Sequence, residues 1–216
     1  MKEEVIILGG GWSVKEGIEK GLWDNIKGKE IWSLNFAFMT MPYLPTRQLW
    51  IDFKFFKNYT KEVYELQRKG VMLCTREDDR YNIFREIKQY KIDREYKEDS
   101  IFTGRNGLVG FFALSIAVKE KYKRIFLLGY DFGGKPDNIN FTHYYQGKLS
   151  VFSDGIGDPY IYMEKDGKAV KALKDFDYYS FYKEHIYNVS MLSKIYQFNK
   201  ITYDSFFQLI RKEGGK

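Results

Sequence analysis

The chain is expected to fold as an α/β protein, with a doubly wound, mostly parallel sheet and an aromatic-rich insertion. Three observations predict this: short apolar runs without alternation, helical patterns between those runs, and a glycine-rich break directly after the first of them. A strand covered on both faces reads as a continuous apolar run, whereas a half-exposed strand alternates. Runs that take turns with helical segments are the pattern of a parallel sheet with crossover helices.

The first run covers 5–8 and breaks into Gly9, Gly10 and Gly11, followed by Trp12, Ser13 and a helix-compatible segment over 14–20. Glycines let the backbone turn sharply and approach a ligand closely. Ser13 is placed to cap the helix, with Glu16 as its capping-box partner three residues on. The helix start then offers unpaired N–H groups and partial positive charge to an anion, for which a phosphate is the natural guest. The plain alternative is a glycine turn that simply joins strand to helix. The spacing departs from G-x-G-x-x-G, which argues against a dinucleotide.

Further strands are predicted over 30–34, 48–52, 71–74, 124–128 and 201–203, and further helices over 59–68, 79–90, 106–121 and 181–196. The helix over 106–121 is the best defined. Leu108, Phe111, Phe112, Ser115, Ile116 and Lys119 trace its period, and the run ends in charged residues. Turn signals crowd the stretch 133–179, with little periodicity between them, and a stretch of that length is usually functional or disordered. Because it carries Tyr144, Tyr145, Phe152, Tyr160 and Tyr162, an ordered lid or a small hairpin excursion within a single domain spanning 1–216 is expected.

Composition bounds the function classes. A chain of 216 residues can bury a self-sufficient core. Its single cysteine, Cys74, ends an apolar run and reads as a buried strand residue. One cysteine and no signal-peptide pattern predict a reducing cytoplasm, and no run approaches the ~20 apolar residues needed to span a membrane. The net charge of +6 comes from interspersed lysines and arginines, so a nucleic-acid partner is neither demanded nor excluded, and a homo-oligomer stays open. The 18 Tyr and 18 Phe suit recognition of sugars and bases, although an AT-rich genome gives the same bias.

Ligand crevices of open α/β sheets lie beyond the carboxyl ends of the strands. The polar residues expected there are Gly9 to Ser13 after the first strand, Asn35 after the second, Asp52 after the third and Asp131 after the run over 124–128. Each reads either as a ligand contact or as a turn or cap residue. Thr103, Gly104, Arg105 and Asn106 open the long helix, either as an anion site with Arg105 as its fork or as a plain cap. The two histidines, His143 in the lid and His185 near a helix start, are the candidates for proton transfer. Neither has zinc-site spacing, and no metal centre is expected. A Mg²⁺ held by Asp52, Asp131 or Asp137 is conceivable only alongside a nucleoside di- or triphosphate.

The segment Ile-Leu-Gly-Gly-Gly-Trp-Ser-Val-Lys-Glu resembles the G-x-G-P-S-L-K-E opening of the bacterial sialyltransferases of glycosyltransferase family 42. It also resembles a wider Rossmann-like set that includes archaeal 6-hydroxymethyl-dihydropterin pyrophosphokinases and many phage-encoded proteins. In that set an Asn follows strand two, as Asn35 does here, and an Asn or Asp follows strand three, as Asp52 does. A Ser/Thr-Gly motif opens a long helix leading to a strand that ends G-x-D-F, here Gly129-Tyr130-Asp131-Phe132. The resemblance spans roughly 4–132. It implies a nucleotide, cytidine-linked in the sialyltransferases, held by the glycine turn, Asn35, Asp52 and the segment 103–107. It also implies a lid tyrosine pair at the leaving phosphate, for which Tyr144 and Tyr145 stand, and a histidine base, His143 or His185, without an essential metal. Trp12 replaces the family proline, and Gly133 stands where the sialyltransferases have a phosphate-binding tyrosine. The reading is a nucleotide-dependent transferase, glycosyltransferase-like, with a nucleotide-sugar donor and a glycan-like acceptor. The alternatives are a Mg²⁺-dependent pyrophosphokinase using ATP and a non-catalytic nucleotide- or glycan-binding protein.

Overall fold

The computed structural model describes residues 2–82, 84–93, 100–104, 107–134, 136, 143–145 and 168–211, with the backbone alone for 168–170. Its centre is an eight-stranded sheet in the order β10-β9-β8-β1-β2-β3-β4-β5. The strands are β1 (Lys2–Leu8), β2 (Ile31–Leu34), β3 (Arg47–Leu49), β4 (Met72–Arg76), β5 (Ile87–Tyr90), β8 (Tyr122–Leu128), β9 (Ile186–Asn188) and β10 (Asn199–Lys200). Every pairing in it is parallel. A separate parallel pair is formed by β6 (Ile92–Asp93) and β7 (Ile101–Phe102).

The chain builds outward from β1 through β2 to β5 on one side and through β8 to β10 on the other. Helices cover both faces: α1 (Ser13–Glu19), α2 (Leu22–Ile26), α3 (Phe53–Asn58), α4 (Thr60–Arg68), α5 (Val109–Lys119), α6 (Lys168–Asp175) and α7 (Tyr203–Arg211). Side chains of a strand alternate between faces, and β1 shows why its run is apolar throughout. Val5 and Ile7 enter the core with Phe111, Phe112 and Ile116 of α5, while Ile6 and Leu8 enter the opposite one with Val14 of α1 and Tyr203 and Phe206 of α7. A third cluster joins Trp50, Phe55, Phe56, Val63, Leu66 and Tyr81 under the β3–β5 half, with the Trp50 and Phe56 rings stacked at 5.8 Å.

Four expectations for elements are corrected. The helix expected over 79–90 is a 3₁₀ turn, Asp79–Tyr81, and then β5. The Asp78 carboxylate accepts from Arg80 N–H at 3.1 Å, and Trp50 Nε1–H donates to the buried Tyr81 hydroxyl at 3.0 Å, so the chain is anchored and turned before a helix can propagate. The helix expected over 181–196 is a 3₁₀ stretch, Phe176–His185, that runs directly into β9, where pairing with β8 outweighs aromatic periodicity. The strand expected over 201–203 lies earlier, as β10, and Tyr203 opens α7, which the sequence reading missed. Thr202 Oγ1 accepts from Ser205 N–H at 3.2 Å at that helix start. The stretch read as irregular up to 179 ends in regular structure, because α6 and the start of the 3₁₀ stretch lie inside it. Among the described residues no helix is long and apolar enough to cross a membrane.

Candidate functional site

The direction of building reverses between β1 and β8, and the crevice of a doubly wound sheet opens at that switch point, past the carboxyl ends. Here Gly9 N–H donates to Leu128 O at 2.8 Å and Gly11 N–H to Gly129 O at 3.0 Å, so the two strand ends are laced together. The lacing leaves no room for side chains. A Cβ on Gly11 would lie 2.6 Å from Asp131 Oδ2, and one on Gly10 would lie 2.5 Å from the Tyr145 hydroxyl.

A cleft of about 230 Å³ opens over this junction. Gly9, Gly10 and Gly129 form its floor, and Leu34 and Asn35 one wall. Leu108, Val109 and Gly110 at the start of α5 also line it, with Tyr130, Phe132, His143 and Tyr145.

Asn35 is held in the left-handed region at φ 47°, which asparagine tolerates better than most residues. Its N–H donates to Leu49 O at 3.0 Å, and its carbonyl accepts from Gln48 Nε2 at 2.8 Å. The backbone of this lining residue is thus fixed on both sides. Tyr130 donates its hydroxyl to Gly110 O at 3.1 Å, which ties the end of β8 to the start of α5. Burial pushes that phenol far above its ordinary range, so it remains a donor at neutral pH. Leu108 at the N-cap position of α5 offers no side-chain cap, and the helix has no acidic residue in its first turn. The first-turn N–H groups of a helix have no intrahelical acceptor, so this wall of the cleft carries partial positive charge.

The segment 143–145 is stitched to the glycine turn. His143 forms an antiparallel bridge with Gly11, and Tyr144 N–H donates to Gly10 O at 3.1 Å. The Tyr144 hydroxyl shares a 2.6 Å hydrogen bond with Thr40 Oγ1 and donates to Ala37 O at 3.3 Å. Burial pushes the hydroxyls of Tyr144 and Tyr145 well up, so both stay protonated. The His143 and Tyr145 rings stand 5.3 Å apart.

The other sequence candidates divide. Ser13 is the first residue of α1 and not its cap. The Trp12 side chain at the cap position makes no capping bond, and the Ser13 N–H instead donates to Asp131 Oδ2 at 2.7 Å. Asp131, 5% exposed, is thus turned into the protein. Burial raises its carboxyl above the usual range, against the opposing pull of hydrogen bonds from Ser13. Asp52 is exposed and caps α3, accepting from Lys54 N–H at 2.8 Å, outside the cleft lining. Thr103 is fully buried behind the α5 wall, where its N–H donates to Asp93 O at 3.1 Å and its carbonyl accepts from Leu108 N–H at 2.9 Å. Gly104, at φ 70°, turns the chain beside the Phe111 ring. Arg105, Asn106, Asp137, Phe152, Tyr160 and Tyr162 lie outside the described residues.

His185 is not brought to the cleft. Its Nδ1 pairs with Lys123 O at 2.8 Å, at the amino end of β8. That is about 20 Å from the carboxyl end, at ~3.3 Å per strand residue. Among the described residues no three His, Cys, Asp or Glu side chains gather as a metal site. Sequence reasoning missed Leu108, Val109, Gly110, Tyr130 and Phe132 as lining residues. Their neighbours Thr103 and Asp131 carried the polar signal, whereas apolar lining is indistinguishable in sequence from core.

No protein-family model and no curated protein matches the chain. Among solved structures it is similar to that of the MAf glycosyltransferase from Magnetospirillum magneticum AMB-1, at a TM-score of 0.56 and 14% identity. The chain thus shares an α/β fold with part of that structure. The match covers 95% of this chain and 34% of that one, so this chain spans about a third of that glycosyltransferase's length. At this identity the likeness is one of fold.

Proposed function

We propose that the cleft binds the nucleotide part of a nucleotide-sugar donor, CMP-linked or carried by another nucleotide, and that the protein is a glycosyltransferase-like transferase acting on a hydroxyl of a glycan-like acceptor. The observation that carries this reading is the cleft itself. At the switch point it brings together the amino end of α5, whose cap position Leu108 makes no side-chain capping bond, with Asn35 and the aromatic residues Tyr130, Phe132 and Tyr145. Small-molecule sites of this kind are apolar clefts with a few fixed polar groups. Helix N–H groups suit a phosphate, and the asparagine amide can donate and accept at once. A cleft of about 230 Å³ encloses only part of a nucleotide-sugar, which leaves the sugar on the lid side, beside His143. Transfer needs a base for the acceptor hydroxyl and stabilisation of the departing phosphate. His143 is assigned the first role. The α5 amino end and the Tyr145 hydroxyl are assigned the second.

Thermal-shift measurement with CMP, CDP, UDP, GDP, ATP and their sugar conjugates, with and without Mg²⁺, tests the reading. A ligand present at 100 times its dissociation constant adds about 2.7 kcal/mol of stability. A Mg²⁺-independent shift with a cytidine nucleotide, or another sugar-carrier nucleotide, is expected. A shift confined to ATP with Mg²⁺ would replace this reading with phosphoryl transfer, and stabilisation by donors without any product would make the protein a binding module.

A further inference from the structure

The turn at Gly9–Gly11 has the look of a phosphate cradle, yet its anion is already in place. Asp131, from the end of β8, reaches across to the turn and accepts the Ser13 N–H at 2.7 Å. Ser13 is the first residue of α1, and no side chain caps that helix locally. The carboxylate therefore does for α1 what a bound anion or a cap residue would do. Gly11 is the complement of this contact, since a Cβ there would meet both Asp131 Oδ2 and Gly129 O.

The segment that carries Asp131 is itself held from several sides. Tyr130 O accepts from Ser193 Oγ at 2.7 Å and from Asn188 Nδ2 at 3.2 Å. Asp131 O accepts from Lys194 N–H and Gly134 N–H, each at 3.0 Å. The carboxylate is thus delivered to Ser13 by a fixed backbone. An external phosphate would have to displace a carboxylate that is 5% exposed.

We propose that Asp131 is a positioning residue: it fills the amino end of α1 from within, fixes the glycine turn as the cleft floor, and leaves the amino end of α5 as the wall that takes the ligand's phosphate. It acts on the ligand through the turn and touches neither ligand nor metal. The part that concerns the ligand rests on the nucleotide reading above, and the part that concerns the turn does not.

The test compares Asp131→Ala and Asp131→Asn in the full chain with ¹⁵N labelling, using CMP as the probe. In the free protein, Asp131→Ala is expected to move the Ser13 amide resonance and speed its hydrogen exchange about tenfold, the scale of a lost cap. Asp131→Asn, which keeps an acceptor oxygen, is expected to restore both. CMP affinity is expected to fall about tenfold in the alanine variant and to return within about threefold of the parent in the asparagine variant, since a cap in place keeps the floor in place. An unmoved Ser13 amide in Asp131→Ala overturns the proposal. An asparagine variant with its Ser13 amide in place but CMP binding lost also overturns it, because the charge would then be acting on the ligand directly. Should the alanine variant fail to fold, the asparagine variant decides by the same two readings. A parent chain that binds no CMP refutes the cytidine reading, while the Ser13 amide still decides the placement of Asp131.

Discussion

Gly10 sits under the Tyr145 hydroxyl and the His143 ring, and a Cβ there would come 2.5 Å from the first and 2.7 Å from the second. Both rings are held by the bridge from His143 to Gly11 and the bond from Tyr144 to Gly10, so neither can swing clear without cost. Gly10→Ala is expected to lower stability by about 1–3 kcal/mol, the range for overpacking, and a thermal melt reads it directly. His143→Ala removes a ring that lines the cleft. It is expected to keep donor affinity and lower turnover by 10²–10⁴, the usual worth of a general base. Single-turnover kinetics with a saturating donor separates the two effects. At this scale the sequence showed which residue types stood at the strand ends, and Asn35 lines the cleft at one of them. It could not show that Asp131 faces inward, because its partner Ser13 lies 118 residues away.

Among the elements, β1 and its glycine turn were legible because both of their signals are local: an unbroken apolar run and consecutive glycines. The segment 79–90 was misread because its anchors, Trp50 on Tyr81 and β4 on β5, are long-range. α7 was a different failure. Tyr203, Phe206, Phe207 and Ile210 show helical spacing and are all buried, but the short apolar run over 201–203 also reads as a strand. Phe206, fully buried against Phe126 at 4.9 Å between ring centres, is expected to cost about 3–5 kcal/mol on truncation to alanine, as read by denaturant unfolding. At the opposite end of the sheet, Arg47 of β3 grips Glu120, after α5, with two 2.7 Å hydrogen bonds, and Lys2 of β1 adds a third at 2.7 Å. Burial alone would raise the Glu120 carboxyl, but the Arg47 and Lys2 hydrogen bonds outweigh it and hold the group below its ordinary value of 4.5. Its folded value being the lower one, this contact contributes stability above about pH 4.5 and loses it as the pH falls through the folded value. Glu120→Ala is expected to cost about 3 kcal/mol at neutral pH by taking both 2.7 Å hydrogen bonds from the buried Arg47 and leaving it the longer 3.7 Å ion pair with Glu30, and to flatten the acid limb of the stability–pH curve.

Over the whole molecule, the carboxyl edge of the sheet carries the cleft and the amino edge carries ion pairs. His185 lies at the amino edge, bonded to the Lys123 carbonyl and tilted against the Tyr182 ring at 4.4 Å. His185→Ala is therefore expected to leave nucleotide affinity and turnover at the parental level, measured beside His143→Ala under the same conditions. The doubly wound class was legible from alternation of runs and helices alone. The strand order was not, since nothing local in β1 says that its partner on one side is β8.

That partnership also sets an order of events during synthesis. β1 pairs with β8 in a register that joins Lys2 to Tyr122 and Leu8 to Leu128, and parallel neighbours admit no hairpin shortcut. While the ribosome is still short of Tyr122, the first strand has one flank open and the floor of the cleft has only one of its two strand ends. Non-local pairing of this kind is slow to form and exposed to misassembly meanwhile. The cleft is accordingly among the late features of the nascent chain, and any amino-terminal fragment ending before Tyr122 must lack it, however well its own glycine turn is preserved.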